Sequence, residues 1–217
     1  MLKVGAAPLG AQIRRVLCLG AHSDDIEIGC GGTVLQLVES CPGIEVDWVV
    51  LTAPGERSDE ATASAERFLA GAGVTRVRVE NFRERYFPHQ PELKEWFDEL
   101  GREIEPDLVM CPWRGDAHQD HRTVSELVGN TFRDQLVLEY EIPKFDGDLG
   151  RPSVFVHLEE RHAEGKLAGI IDGFPSQKRR EWFTEETFRA LLRLRGIESR
   201  APSGMAEAFH SMKMVLL

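Results

Sequence analysis

Two short segments hold most of the chemistry this sequence can perform. Ala21-His22-Ser23-Asp24-Asp25 gathers an imidazole and two carboxylates, and a glycine-rich run, Gly29-Cys30-Gly31-Gly32-Thr33, follows. Trp113-Arg114-Gly115-Asp116-Ala117-His118-Gln119-Asp120-His121 gathers two more imidazoles with further carboxylates. Each segment follows an apolar run (16–19 and 107–111) that reads as a buried strand. Charged groups at the end of a buried strand are costly to desolvate unless something pairs them. In a parallel sheet both segments open onto the same edge. His22, Asp25 and His121 then supply two imidazoles and one carboxylate, the donor set of an open catalytic zinc site. Three protein donors leave a position for water, whose pKa the metal lowers toward neutrality. Asp24, beside a ligand and pointing elsewhere, is placed to take a proton from that water. His118, close to a metal but not bound to it, can protonate a leaving group or stabilise an oxyanion. Asp120 can hold a ring N–H and so fix a tautomer. The assignment is not forced, because His118 and His121 are three apart and one helical turn can present both as ligands. For the first segment alone, a solvated loop in which Asp24 or Asp25 caps a helix explains the residues about as well.

The surrounding pattern says what must position these segments. Short apolar, β-branched runs recur at 15–19, 46–51, 74–79, 107–111 and 136–140. Between them lie helical stretches at 33–40, 58–72, 91–104 and 123–132, the last with a capping box of Thr123 and Glu126 at its start. Leu93, Phe97, Leu100 and Ile104 make one apolar helix face. The glycine-rich run is expected to turn the chain sharply into a helix whose N-terminus favours negative charge. Strand–helix alternation predicts an α/β fold: a Rossmann-like, mostly parallel sheet with helices on both faces and its site beyond the carboxyl ends of the strands. Beyond residue 150 the pattern predicts a strand at 153–158, helices at 160–174 and 184–194, and a final strand at 212–217. These are read as a C-terminal extension of the same domain, so that 1–217 is one domain.

The whole-chain arithmetic excludes several classes. A chain of 217 residues suits one well-buried core rather than two full domains. Its 42% hydrophobic and 29% charged content excludes collagen-like, low-complexity and wholly disordered chains. A net charge of −10 argues against nucleic acid and anionic membranes as partners. No apolar run approaches the ~20 residues of a membrane span, and the opening MLKVGAAPLGAQIRR lacks a signal-peptide core. The four cysteines (Cys18, Cys30, Cys41, Cys111) form no CxxC pair, which excludes a zinc ribbon and predicts free thiols in a cytoplasmic protein.

Together, AHSDD at Ala21 to Asp25 and HQDH at His118 to His121 resemble the signature of the PIG-L/LmbE-like N-deacetylases. That family includes the glycosylphosphatidylinositol-pathway enzyme and the mycothiol and bacillithiol biosynthetic deacetylases. The usual first motif is AHPDD, so Ser23 stands in place of a proline, a change that spares every candidate ligand and loosens the turn. Residues 52–55, the Arg57 to Glu60 spacing and Ala206-Glu207-Ala208-Phe209 are further similarities, so the likeness spans nearly the whole chain. The resemblance implies a mononuclear Zn2+ site of His22, Asp25 and His121, with Asp24 as general base and His118 assisting at the oxyanion or leaving group. It also implies Arg57 at substrate hydroxyls or phosphates, and hydrolysis of an N-acetyl group from an amino sugar. The segments 140–183 and 196–209 are where this chain is expected to differ from its relatives.

Other readings stand beside this one. A metal-dependent phosphoesterase needs more bridging carboxylates than the sequence offers, and a non-catalytic sugar-binding module has no need of a base beside an open metal. The GCGG run lacks the spacing of a dinucleotide fingerprint. Trp113 either lines the acyl or sugar pocket or packs in the core. Trp182, Phe183 and Phe188 read as a packing cluster, and Lys178-Arg179-Arg180 as a solvated helix end in preference to a contact for an anionic substrate. His89, His157 and His162 read as surface or satisfied core residues, and His210 as structural in preference to reaching the site. The substrate expected is an N-acetylated small molecule such as an N-acetylglucosamine derivative, a nucleotide-sugar or an antibiotic precursor. Iron suits the same donors as zinc.

Overall fold

A computed structural model describes residues 13–214. The strands are β1 (Arg15–Gly20), β2 (Glu45–Val50), β3 (Val74–Val79), β4 (Leu108–Pro112), β5 (Leu136–Tyr140), β6 (Val154–His157) and β7 (Ala206–Ser211). The helices are α1 (Asp25–Ser40), α2 (Glu56–Phe68), α3 (Pro91–Glu103), α4 (Gln119–Thr131), α5 (Glu160–Gly173) and α6 (Glu185–Ser199). All seven strands form one sheet in the order β3-β2-β1-β4-β5-β7-β6. The first five run parallel, and β7 pairs antiparallel with both β5 and β6. The expected Rossmann-like α/β class is what the chain adopts. The order reverses between β1 and β4, and a doubly wound sheet leaves its crevice at such a switch point.

Alternation along the strands fills both faces. Val16, Cys18, Val46 and Trp48 pack with α1, α2, α5 and α6, while Leu17, Leu19, Val49 and Val109 pack with α3 and α4. Leu93, Phe97 and Leu100 of α3 are buried on the second face as their spacing required. Full burial of a side chain such as Phe97 contributes about 1.5–3 kcal/mol.

Four expectations need correcting. The glycines do not precede α1 but lie inside it, since the helix begins at Asp25. They are needed for close approach: a Cβ on Gly29 would meet the Tyr140 ring at 2.0 Å, and one on Gly31 the Phe68 ring at 2.7 Å. Thr123 is no cap, because α4 starts four residues earlier and Thr123 Oγ1 donates to the Gln119 carbonyl within it. Helix α6 runs on to Ser199, beyond the expected 194. The last strand is 206–211 rather than 212–217: Met212 to Met214 lie outside any strand, and 215–217 and 1–12 fall outside the described residues.

Glu207 of β7 accepts from the Gly32 and Thr33 amides of α1 at 2.8 and 2.7 Å, and Lys166 of α5 donates to the Ile28 carbonyl at 2.6 Å. Lys166 and Glu207 pair at 2.6 Å, both buried, so the AEAF segment fastens the C-terminal extension to the helix that follows the first chemical motif.

Candidate metal and catalytic site

Strands β1 and β4 deliver both motifs to the carboxyl edge of the sheet, on either side of the switch point. Asp24 takes the N-cap position of α1 without a side-chain cap, and Asp25 turns back so that its Oδ2 accepts from the His22 amide at 2.8 Å. His118 is the N-cap of α4, its Nδ1 accepting from the Asp120 amide at 3.2 Å, which leaves Nε2 free of that bond. His121 follows one turn into α4.

His22 Nδ1 and His121 Nε2 lie 3.1 Å apart, and Asp25 Oδ2 lies 3.4 Å from the first and 3.3 Å from the second. Donors bonded at 2.0–2.1 Å to a tetrahedral ion are about 3.3–3.4 Å from one another, so this triangle has the size of three corners of a zinc site. His118 also belongs to the cluster: single donor atoms of His22, His118 and His121 all fall within 4.8 Å of one another. The two sets share His22 and His121 and differ in whether Asp25 or His118 completes them. The His22–Asp25–His121 triangle is the tighter of the two.

The outward ring nitrogens face carboxylates. Asp116 Oδ2 is 2.9 Å from His121 Nδ1 and Asp120 Oδ2 is 3.4 Å from His22 Nε2. Neither contact meets hydrogen-bond geometry, and both nitrogens are buried without a partner. Carboxylate–imidazole contacts of this kind orient metal-binding rings. The charge balance fits a cation as well. Burial opposes protonation of His22, yet Asp25 and Asp120 push its pKa up to about 10. His121 is raised likewise by Asp25 and Asp116 against its burial. Burial alone would raise Asp25, but His121 and His22 hold it well below the usual carboxylate range. Carboxylates thus crowd two rings that call for positive charge, and a divalent ion answers that call. His118 differs: burial, with His22 and His121 close by, lowers its pKa to about 4, so it is a neutral ring at pH 7.

Asp24 is buried, and that burial, with Asp25 beside it, raises its pKa while Arg57 opposes the rise. Arg57 Nη2 sits 3.5 Å from Asp24 Oδ1, and its Nε donates to Ser23 Oγ at 2.9 Å. A proline at position 23 could not accept that bond, so Ser23 does more than loosen the turn. Trp113 stacks on His210 with centroids 4.3 Å apart and 12° between planes. Gly115 and Gly150 press against the same ring at 2.4 and 2.6 Å, as measured to a Cβ neither has. His210 therefore supports the motif loop from behind. Trp182, Phe183 and Phe188 form the expected ring cluster, and Lys178 to Arg180 are exposed. All four cysteines are free and buried.

Sequence reasoning overlooked several contributors. Asp116 lay within the second motif, two residues before His118, and is the one that had a visible signal. Lys144 Nζ holds Asp116 Oδ2 at 2.9 Å and Asp148 Oδ2 at 2.6 Å. Glu139 of β5 accepts from Arg114 Nε at 2.7 Å and from Ser125 Oγ at 3.1 Å, fixing the loop that carries Trp113. Glu27 is fully buried with both carboxyl oxygens unpartnered.

The family model described as PIG-L, GlcNAc-PI de-N-acetylase, matches residues 17–132. The diacetylchitobiose deacetylase of Thermococcus kodakarensis is 30% identical over 125 residues, 51% of this chain and 46% of that protein, so the match spans less than half of the relative's length. The N,N'-diacetylchitobiose deacetylase structure from Pyrococcus horikoshii superposes with a TM-score of 0.68 at 22% identity, covering 93% of this chain and 85% of that one. GalB, the 4-carboxy-2-hydroxymuconate hydratase of Pseudomonas putida KT2440, superposes with a TM-score of 0.76 at 17% identity over 94% and 98% of the two chains. At these identities the two structures establish a shared fold. Among the described residues no helix is long and apolar enough to cross a membrane.

Proposed function

This chain belongs to the PIG-L, GlcNAc-PI de-N-acetylase family, and from that premise we propose that it is a metal-dependent hydrolase that removes the N-acetyl group from an amino sugar or a sugar-containing small molecule in the cytoplasm. The observation that carries the reading is the triangle of His22 Nδ1, His121 Nε2 and Asp25 Oδ2, with sides of 3.1, 3.3 and 3.4 Å, beside a buried Asp24.

In this reading His22, Asp25 and His121 hold Zn2+. When bound, the ion supplies Lewis-acid polarisation of the amide carbonyl and acidifies a water. Asp24 accepts the proton of the attacking water; burial and Asp25 raise its proton affinity, which favours a general base, and Arg57 opposes that rise. His118, neutral with its Nδ1 held by the Asp120 amide, presents its other nitrogen to the oxyanion or the leaving amine. Asp116 and Asp120 fix the two ligand rings from outside. Arg57, anchored on Ser23, and the Trp113 loop form the substrate side. The two diacetylchitobiose deacetylases among the similar proteins are named for an N-acetylated sugar, which supports that substrate class here.

The test is acetate release from a panel of N-acetylated sugars and nucleotide-sugars by zinc-loaded protein. Asp24→Ala should keep its zinc and lose about 10²–10⁴-fold in turnover, the usual weight of a general base. An Asp24→Ala protein with most of its activity would remove the base assignment. His118→Ala separates the two donor sets, since it keeps the metal if Asp25 completes the site and loses it if His118 does.

A further inference from the structure

We propose that the mouth of this site selects substrates that carry a phosphate group on the N-acetylated sugar, through Arg83 and Arg85 acting together with Arg57; this rests on the deacetylase reading for its substrate and deepens it. The observation is a strained turn locked onto the ligand cluster. After β3, residues 83–87 fold so that the Arg85 and Phe87 amides both donate to Asp120, at 2.6 and 3.3 Å. Asp120 in turn lies 3.4 Å from His22 Nε2. Gln90 grips the turn's start, accepting from the Arg83 amide at 2.9 Å and donating to its carbonyl at 3.0 Å, and Gln119 Nε2 donates to the Arg85 carbonyl. Arg85 is held at φ 68°. Among the described residues one other non-glycine has positive φ, Arg200, and it closes α6 as a C-cap. Backbone strain of this kind costs about 1–3 kcal/mol and persists where surroundings over-determine it. Here it fixes the backbone of the turn beside the site, with the Arg83 and Arg85 side chains leaving it toward solvent.

Those side chains are cationic and free. The Arg85 side chain is 77% exposed, with only Glu84 in reach at 4.0 Å. The Arg83 guanidinium lies 3.6 Å above the Tyr86 ring, which orients it while leaving its N–H edges open. Arg57 reaches the same turn from α2, its Nη1 3.8 Å from Glu84. Arg57 is shared between Asp24 and Glu84, so it is Arg83 and Arg85 that put uncommitted positive charge on this rim, on a chain whose net charge is −10. A phosphate, with up to two negative charges and several acceptor oxygens, matches such a rim better than a single carboxylate, because guanidinium forks bind phosphate oxygens in pairs. A free sugar phosphate and a nucleotide diphosphate sugar share that chemistry.

The experiment compares zinc-loaded protein on N-acetylglucosamine, N-acetylglucosamine 1-phosphate and UDP-N-acetylglucosamine, reading acetate release and calorimetric binding at low and high salt. A phosphorylated probe should exceed the neutral sugar in kcat/KM by about tenfold or more, and the advantage should shrink as salt rises. Which phosphorylated probe gains more separates the sugar phosphate from the nucleotide. Arg85→Gln and Arg83→Gln should each pull the phosphorylated-to-neutral ratio toward one. Arg133→Gln, at the opposite edge of the sheet, should leave it alone. Equal kcat/KM for neutral and phosphorylated probes overturns the proposal and spares the deacetylase reading. Salt-sensitive binding of UDP-N-acetylglucosamine that Arg85→Gln weakens, with no acetate released from any probe, supports the rim and overturns the deacetylase reading. Neither binding nor turnover of any probe overturns both.

Discussion

Two buried charge clusters among the described residues are built in opposite ways. At the carboxyl edge of β1 and β4, the charged groups come from two unbroken stretches, 22–25 and 116–121, and their complement is incomplete. His22 Nε2 and His121 Nδ1 have no hydrogen-bond partner, and Asp24 is raised by burial and by Asp25. In the C-terminal extension the members come from 141, 166, 195 and 207, and each is matched. Lys166 pairs with Glu207, and Arg195 meets Glu141 through Nε and Nη2 at 2.9 and 2.6 Å. Buried polar groups cost free energy when unmatched. The second cluster minimises that cost and fastens elements; the first keeps its groups short of partners, which suits them to receive an ion and a substrate.

Removing one member of each cluster should therefore fail in different ways. The largest effect is expected at His121. His121→Ala takes out one corner of the donor triangle, so bound zinc should fall from about one per chain to near zero, with turnover lost. The protein should still unfold cooperatively. Metal analysis with a denaturation curve decides the matter, and stoichiometric zinc in His121→Ala would take His121 out of the ligand set.

Glu207→Ala should show the reverse pattern. It strands the Lys166 ammonium in the interior and leaves the Gly32 and Thr33 amides of α1 without their side-chain acceptor. Breaking a buried pair by removing one partner costs about 3–5 kcal/mol, read as a shift of the urea midpoint. Zinc stoichiometry at pH 7 should persist wherever the variant is folded. A loss below about 1 kcal/mol would mean the pair contributes little, and the contrast between the clusters would fail on its structural side.

The same contrast explains what the sequence disclosed. The first cluster was readable because its residues are neighbours in the chain and follow apolar runs, so position and residue type pointed the same way. The second was invisible: Glu141, Lys166, Arg195 and Glu207 meet only through the antiparallel β7 and the helices around it. Lys144 and Glu139 escaped notice for the same reason. The glycine run misled because a helix tolerates glycine poorly in isolation, and nothing local announces that the Tyr140 and Phe68 rings will fill the space. The strands and the α3 face were legible, since each depends on a short-range hydrophobic period.

Glu27 lies between the two clusters and sharpens the comparison with the smallest expected effect. It follows Asp25 by two positions in α1, is fully buried, and has neither the metal-site role of the first cluster nor the partners of the second. Burial raises its pKa from 4.5 to about 8, against an opposing pull from Ser64 of α2. Below pH 4.5 the folded and unfolded chains both hold the proton, and Glu27 costs nothing. Between 4.5 and about 8 the unfolded chain releases the proton while the folded one keeps it, so stability falls with rising pH. Above about 8 both states are ionised and the loss levels off. Glu27→Gln keeps the shape and cannot ionise, so it should stabilise the protein by about 2–3 kcal/mol at pH 7. The gain should fade almost completely by pH 4.5. Urea midpoints of both proteins at pH 5 and pH 7.5 decide it. An equal difference at the two pH values would mean that Glu27 is no isolated acid, and that a partner makes it a member of one cluster or the other.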